Sequence, residues 1–236
     1  MNSTKQLFLF FTLLGLILVA CKKEEIIKDT SAKLTFSADT VFFDTVLANT
    51  GSVTQRFKIY NPNDRPIVIQ DLYLGSGSSS FYRLNVDGIE GNQQSDIKLE
   101  AKDSIYVFVE VTIDPDNNQN PFIIADSVMC ITNGNVQNVK LVAYGQNVHL
   151  FRNEYIQTQT WSGDKPYLIQ GTVELDSNEV LTIAPGTRIY LGSRSSLSIR
   201  GKLEAHGTYD SPILFTGARF DEFYESSAGQ WKTLLA

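Results

Sequence analysis

The chain has 236 residues, of which 20 are basic and 26 are acidic, and its net charge is −6 at pH 7. This acidic balance argues against nucleic acid as a partner, because proteins that bind nucleic acid usually present a basic face. The length allows one or two domains.

The first twenty residues have the pattern of an export signal. Lys5 precedes an apolar run from Leu7 to Ala20, which is too short to cross a bilayer as a permanent helix. The run ends in Leu18-Val19-Ala20-Cys21, which resembles the lipobox of bacterial lipoproteins. The resemblance implies a signal peptide over residues 1–20 and a Cys21 that is acylated on its thiol and its new amine, so that lipid holds the protein at a membrane. The alternative is a plain secretory signal with an incidental cysteine.

Charged residues follow the cysteine directly. Position 22 is not the Asp that lipoproteins use for retention in the inner membrane, and Lys22-Lys23-Glu24-Glu25 resembles the export tag of Bacteroidota-type surface lipoproteins. The resemblance implies a lipid-anchored outer-membrane protein exposed at the cell surface. The alternative is an ordinary solvated segment, because short charge runs usually face solvent. We expect residues 21–32 to form a lipidated flexible tether.

Residues 33–148 are predicted to form a β-sandwich. From Ile105 to Ile113, apolar residues alternate with Tyr106, Phe108, Glu110 and Thr112. This period of two predicts a strand with one buried face and one mixed or solvated face. Asn133-Gly134, between two apolar runs, predicts a tight hairpin. Seven or more short strands at this spacing favour a sandwich.

Two stretches of this region resemble a known family. The run from Gly51 to Pro62 is followed by Pro66-Ile67-Val68-Ile69. Together they resemble the immunoglobulin-like domains of the abnormal-spindle/hydin group, in which a Gly-led strand ends in Asn and the next strand opens on Pro and a hydrophobic residue. The resemblance implies an interaction or spacer domain without a catalytic set.

Residues 149–236 are predicted to form the N-terminal part of a parallel β-helix. Short apolar segments are separated by Gly, and the pair Gly186-Thr187 recurs at Gly207-Thr208. Repetition at about twenty residues is typical of a solenoid. The segments Leu181–Thr187, Gly201–Thr208 and Ser211–Thr216 resemble the right-handed parallel β-helix repeats of bacterial surface proteins.

The repeats stop early for a solenoid. Gly229-Gln230-Trp231 resembles the opening of a further coil, but the sequence ends at Ala236, and a solenoid needs roughly three or more repeats and a capped end. We therefore expect a truncated β-helix from a fragment or a prematurely ended reading frame. The alternative is a short β-helix packed on the sandwich. The expected fold class is all-β, an immunoglobulin-like β-sandwich followed by a short, truncated right-handed parallel β-helix.

Metal-binding patterns are scarce. Asp114, Asp116 and Asn118 stand at alternate positions, as the first oxygen ligands of a calcium loop do. Gln119 replaces the Gly of the sixth position, and the same residue types are ordinary in turns. The two histidines, His149 and His206, have no partner at ligand spacing and are expected to be structural or exposed. We expect no metal and no other cofactor.

Catalytic patterns are equally scarce. Glu174 and Asp176 lie on one strand face and would suit a lyase-like β-helix, but no Lys or Arg base is identifiable beside them, which favours a solvated face. Cys130 lies among apolar neighbours and is expected to be a buried structural thiol.

Aromatic residues near the end of the chain suggest a sugar-binding hypothesis. Flat platforms would come from Trp161, Phe223, Tyr224 and Trp231, with Tyr167 and Phe220 as further candidates. Loops carry function more often than strands do, and the segment from Phe220 to Ser227 is the place where such a site is expected first. The spacing of these residues does not show that they converge.

The function expected from these patterns is non-catalytic. A lipid on Cys21 would anchor the protein in the membrane, and the sandwich would act as a spacer that presents the β-helix for adhesion or for binding a glycan or protein. One alternative is a polysaccharide lyase or hydrolase whose catalytic coils lie beyond residue 236. Another is a purely structural envelope component. Fold analogy does not decide among them, because function resides in sites and not in folds.

Overall fold

The structure is a computed structural model that describes residues 25–114, 122–221, 224 and 227–235. The described residues form two successive β-structures, so the prediction of an all-β fold is confirmed. The first is a β-sandwich and the second is a curled arrangement of parallel strands.

The sandwich consists of two five-stranded sheets. Its strands are β1 (Thr35–Phe36), β2 (Thr40–Leu47), β3 (Gln55–Tyr60), β4 (Ile67–Leu74), β5 (Tyr82–Val86), β6 (Ile89–Glu90), β7 (Gln93–Leu99), β8 (Ser104–Val111), β9 (Phe122–Thr132) and β10 (Asn135–Gln146). One sheet has the order β1-β3-β8-β5-β6 and the other β2-β10-β9-β4-β7. Among the described strands of the sandwich, β2 and β10 pair in parallel and the other pairings are antiparallel.

Strand β8 shows how the sequence pattern becomes a buried face. Its residues Ile105, Val107, Val109 and Val111 are buried in the core, whereas Tyr106 and Glu110 are exposed and Phe108 is half-buried. The predicted alternation is confirmed, because successive side chains of a strand point to opposite faces.

The predicted hairpin at Asn133-Gly134 is also confirmed. The two residues join β9 and β10 with φ angles of 49° and 77°, and Thr132 pairs directly with Asn135. Two consecutive positive φ angles are the requirement of a type I′ turn, which Asn-Gly meets at low cost.

The sandwich begins before residue 33. Ile27 and Ala32 are buried in its core, and the backbone N–H of Ile27 donates to the carbonyl of Pro66 at 2.8 Å. The prediction of a flexible tether over residues 21–32 is therefore wrong from Ile27 onward, because apolar side chains in this segment cover the core. Residues 21–24 lie outside the described part.

Asn61 holds the turn that follows β3. Its side chain is buried, and its Nδ2 donates to the carbonyls of Arg65, Leu99 and Glu100 at 2.9, 3.3 and 2.8 Å. Buried carbonyls need such partners. The Asn that ends this strand in the sequence pattern therefore has a structural role.

The second structure contains parallel strands. They are β11 (His149–Ile156), β12 (Gln159–Trp161), β13 (Tyr167–Leu175), β14 (Val180–Ile183), β15 (Arg188–Leu191), β16 (Ser196–Ile199), β17 (Lys202–Ala205), β18 (Leu214–Gly217) and β19 (Thr233–Leu235). Every pairing among these described strands is parallel. One sheet has the order β18-β15-β13-β16-β19 with β11 beside β13, and the other has the order β12-β14-β17.

The larger sheet curls at the middle of β13. Tyr167 pairs with Ile189 of β15, whereas Thr172 pairs with Ser196 of β16. Gly171 lies between the two halves with φ +73°, and a Cβ at this position would collide with the side chain of Asn153. Glycine is therefore required where the sheet bends, because it has no Cβ and tolerates positive φ.

Apolar residues from both parallel sheets form one core. Its most buried members are Trp161, Ile169, Val173, Leu175, Leu181, Ile183, Ile189 and Leu197. Leu181 pairs with Leu203 one repeat later, so the sequence repeat corresponds to strands stacked side by side. The described residues thus contain a curled parallel sheet where a parallel β-helix is expected.

A smaller apolar cluster joins the two structures. Leu47 at the end of β2 is buried with Leu168 and Tyr190, and Phe220 packs edge-on against Tyr190 with ring centroids 4.9 Å apart. The parallel strands therefore pack against the sandwich.

Candidate binding face on the sandwich

Some of the predicted site residues lie outside the part of the chain that the structure describes. These are Cys21, Lys22, Lys23, Glu24, Asp116, Asn118 and Phe223. Glu25 and Asp114 are described, and both are exposed. Among the described residues, no group of three or more His, Cys, Asp or Glu side chains is placed to hold a metal ion.

Trp161 is a core residue and not a ligand platform. Its side chain is 0 % exposed, and its indole stacks on Tyr167 with ring centroids 4.6 Å apart and packs against Phe151 at 5.4 Å. The prediction that Trp161 contacts a ligand is therefore wrong, because β12 directs this side chain into the parallel core.

The two remaining aromatic candidates make contacts of their own. Trp231 packs against the parallel core and is partly buried. The Arg219 guanidinium lies 4.0 Å from the centroid of the Tyr224 ring. A cation at this distance over a ring is a favourable contact, so that face of Tyr224 is occupied.

The histidine and carboxylate candidates form local pairs. His149 Nε2 lies 3.2 Å from Asp164 Oδ2, and its ring stacks on Tyr167 at 4.7 Å. Glu174 forms an ion pair with Arg200 at 2.8 Å. The expectation that no basic residue stands beside Glu174 is therefore wrong, because the parallel register brings the residue after β16 next to β13.

A different group of side chains converges on the outer face of the sandwich. Phe108 on β8 pairs with Arg56 on β3 and with Asn85 on β5. Lys58 pairs with Tyr106 in the same way. Cross-strand partners on one sheet face lie close enough to interact. We call the set Arg56, Lys58, Arg83, Tyr106 and Phe108 the aromatic–basic face.

An open cleft lies on one side of this face. Its volume is about 770 Å³, and it is lined by Thr54, Arg83, Leu84, Asn85, Gly88, Glu90, Gly91, Asn92, Phe108 and Glu110. This volume lies within the range of about 300–1,000 Å³ that is usual for small-molecule sites. The lining combines one aromatic ring with several polar groups.

The hairpin between β5 and β6 forms one wall of the cleft. Asp87 and Gly88 both have positive φ angles, 50° and 88°, and Asn85 Oδ1 accepts a hydrogen bond from the Gly88 N–H at 2.9 Å. An Asn side chain that accepts from a backbone N–H of the following turn is a common turn device. The wall is therefore held by local hydrogen bonding.

Positive charge lies over the aromatic rings of the face. Lys58 Nζ is 4.4 Å from the centroid of the Tyr106 ring, and Arg56 Cζ is 5.5 Å from it. Tyr106 and Phe108 stack with centroids 5.8 Å apart. Hydrogen bonding between the Lys58 and Tyr106 side chains raises the pKa of Lys58 above its ordinary value and lowers the pKa of Tyr106.

The cations of the face have no carboxylate partner. Within the described ranges, no carboxylate oxygen lies within 4.0 Å of a side-chain nitrogen of Arg56, Lys58 or Arg83. Glu110 accepts a hydrogen bond from the Thr54 hydroxyl at 2.5 Å instead. The face therefore carries three cations without a carboxylate partner on a protein whose net charge is negative.

The strand patterns of the sequence carry a signal for this face. Tyr106, Phe108 and Glu110 alternate with buried residues on β8, and Arg56 and Lys58 do so on β3. An exposed row of aromatic residues is unusual for a face that only meets water. The sequence does not show that β3 and β5 flank β8. Only the folded structure shows that the two rows lie side by side.

Comparisons with known proteins find similar solved structures. No protein-family model matches the chain, and neither does any curated protein. Solved structures that resemble it include the ASH/PapD-like domain 7 of human CEP192, at 12 % identity and a TM-score of 0.32 over 54 % of this chain and 92 % of that domain. The Escherichia coli chaperone DraB matches at 13 % identity and a TM-score of 0.31, over 48 % of this chain.

A protein of unknown function from Porphyromonas gingivalis W83 matches at 9 % identity and a TM-score of 0.33, over 53 % of this chain. The chain spans 54 % of the DraB chain and 60 % of the P. gingivalis protein. Among the described residues there is no helix with the length and apolar character needed to cross a membrane.

Proposed function

We propose that the protein is a non-catalytic, lipid-anchored outer-membrane protein, exposed at the cell surface, that binds glycans through the aromatic–basic face of its sandwich. Lipid on Cys21 anchors the chain, and the segment Lys22 to Glu25 directs it to the surface. The sandwich is then both the spacer and the binding module.

The aromatic–basic face is the observation that supports binding. Phe108 offers a ring beside a cleft whose walls carry amide, carboxylate and guanidinium groups. A sugar ring has an apolar face and a rim of hydroxyl groups, so it requires one flat apolar contact and several polar partners together. Buried apolar anchors alone would suit a protein partner better.

In this proposal the curled parallel sheet belongs to a right-handed parallel β-helix. The Gly-Thr repeat and the parallel stacking of strands about twenty residues apart support this assignment. The sandwich is assigned to the immunoglobulin-like domains of the abnormal-spindle/hydin group on the Gly51–Pro62 and Pro66–Ile69 segments. The β-helix then acts as an elongated surface held away from the membrane.

The glycan proposal is tested with the full-length protein in detergent and a panel of neutral and acidic polysaccharides in affinity electrophoresis. Phe108→Ala is expected to reduce binding strongly. Phe42→Ala is the matched control, because Phe42 is an exposed phenylalanine on β2 of the opposite sheet, with 64 % of its surface accessible. Equal loss in both variants, or no binding by the wild type, would contradict the proposal. Cleavage of any of these polysaccharides would indicate a lyase or hydrolase instead.

The anchoring proposal is tested by cell fractionation. Cys21→Ser is expected to release the protein from the membrane fraction, whereas the wild type should stay there after high-salt washing. Protease treatment of intact cells should digest the wild-type protein. Protection from protease would place the protein on the periplasmic side and contradict surface display.

A further inference from the structure

The geometry points to an acidic polysaccharide, one that carries a uronate carboxylate, as the ligand of the aromatic–basic face. This inference rests on the proposed function and specifies its ligand class. Arg83 and Arg56 would hold carboxylates of the polymer, Phe108 would contact a sugar ring, and the polar rim of the cleft would contact hydroxyl groups.

The unpaired cations carry the charge part of this inference. Six ion pairs occur among the described residues, and they involve lysine, arginine or histidine elsewhere in the chain. None of them involves Arg56 and Lys58 on β3 or Arg83 on β5, the two strands that flank β8. A guanidinium presents a planar fork that matches a carboxylate with two parallel hydrogen bonds. Unpaired arginines on one sheet face therefore complement a ligand with spaced carboxylates.

The register places Phe108 between the two arginines. Arg56 is its direct partner on β3. Arg83 lies on β5 and pairs with Glu110, two positions after Phe108 on β8. A ligand lying across β3, β8 and β5 would meet a cation, a ring and a second cation in turn. That order suits a chain of acidic sugar rings, whose apolar faces and carboxylates recur along the polymer.

The carboxylates of the rim favour a polysaccharide over an acidic peptide. Glu90 and Glu110 line the same cleft as Arg83. Carboxylates accept hydrogen bonds from hydroxyl groups but repel a segment with dense negative charge. A polyuronate carries both a carboxylate and free hydroxyl groups on each ring, so it can use both the cations and the rim carboxylates. An acidic peptide offers few hydroxyl donors for Glu90 and Glu110.

The test compares polygalacturonate with its fully methyl-esterified form, because the two polymers differ in the carboxylate charge. Binding of the full-length protein in detergent is measured by affinity electrophoresis and calorimetry. We expect tight binding to polygalacturonate that weakens with added salt, and at least about tenfold weaker binding to the ester. Arg83→Gln and Arg56→Gln should each lower the affinity for polygalacturonate about tenfold.

Arg65→Gln is the matched control. Arg65 is an exposed arginine in the turn after β3 of the same sandwich, so this variant removes the same charge away from the face. Its affinity for polygalacturonate should equal that of the wild type. An equal loss in all three arginine variants would indicate general attraction of charge and overturn the inference.

The remaining outcomes separate this inference from the proposed function. Equal binding to polygalacturonate and its ester, lost in Phe108→Ala but not in Arg83→Gln, would overturn the acidic ligand and leave glycan binding in place. Binding of poly-glutamate as tightly as polygalacturonate, with the same dependence on Arg83, would overturn the inference in favour of an acidic protein partner. Absence of binding to every neutral and acidic polysaccharide tested would overturn both proposals.

Discussion

Arg83 and Glu110 face each other across β5 and β8 without forming an ion pair. They are direct register partners, yet the Glu110 carboxylate accepts a hydrogen bond from Thr54. Opposite charges at such positions usually attract each other. The Glu110 carboxylate thus contacts the Thr54 hydroxyl and not the Arg83 guanidinium.

Thr54→Val tests whether this hydroxyl controls the cleft. Without it, Glu110 is expected to turn toward Arg83 and compete with the carboxylates of the ligand. Because exposed ion pairs are weak, the affinity for polygalacturonate should fall by about two- to fivefold. Thr54→Ser keeps the hydroxyl and should bind like the wild type. A Val variant with unchanged affinity in calorimetry would show that Thr54 does not hold Glu110 away from Arg83.

Trp161→Ala tests the position of Trp161 in the parallel core. Removing a fully buried indole leaves a large cavity, so the free energy of unfolding of the parallel region should fall by about 3–5 kcal/mol. Tyr155→Ala, at a tyrosine that is 66 % exposed on β11, is the control and should change it little. Urea unfolding followed by circular dichroism measures both. Normal stability combined with lost glycan binding would instead identify Trp161 as a ligand contact.

Gly201→Ala tests the packing of successive repeats. A Cβ on Gly201 would lie 2.6 Å from the carbonyl oxygen of Asp176 and closer still to that of Glu179. Backbone atoms of the turn between β13 and β14 cannot move aside cheaply, so we expect a loss of about 1–3 kcal/mol in unfolding free energy. Gly51→Ala is the control, because its Cβ would meet no atom within 4 Å. Equal stability of the two variants would contradict the close approach at Gly201.

Cys130 should be unreactive in the folded protein. Burial raises the pKa of its thiol to about 11 from an ordinary value of 9.0, so at pH 8 the native thiol stays protonated. In a Cys21→Ser variant, where Cys130 is the sole thiol, a maleimide reagent should label the protein in denaturant and not in its absence. Rapid native labelling would show that the thiol is accessible.

The same shift has a consequence for stability. Because the thiol ionises more readily in the unfolded chain, its contribution is complete below about pH 9 and is lost as pH rises toward 11. Cys130→Ala should therefore reduce the decline in the free energy of unfolding between pH 9 and 11. Urea unfolding at several pH values measures the difference, and identical slopes for the variant and the wild type would contradict it.

Short-range patterns in the sequence were sufficient for several features of the fold. The alternation on β8, the Asn133-Gly134 turn and the repeat at Gly186-Thr187 and Gly207-Thr208 each follow from the geometry of neighbouring residues. The same local chemistry predicts a lipid anchor at Cys21, which lies outside the described residues. Features of this kind depend on a few adjacent residues, so they can be read without knowledge of the fold.

Other features depend on residues that are far apart in the chain, and only the folded structure shows them. The burial of Trp161 follows from the stacking of β12 on β14, and the pairing of Glu174 with Arg200 follows from the parallel register. The burial of Ile27 requires a partner near Pro66. The contact between Ile27 and Pro66 joins residues whose separation in the chain carries no periodic signal. Hydrophobic character alone does not determine which surface such a residue covers.

The aromatic–basic face combines both kinds of information. The residue types of β3 and β8 were visible as alternating rows, because a strand exposes every second side chain. That the rows adjoin, and that β5 adds Arg83 beside Phe108, depends on the strand order β3-β8-β5. Strand order follows from long-range packing of the whole sandwich, and for that reason the two arginines and Phe108 come together only in three dimensions.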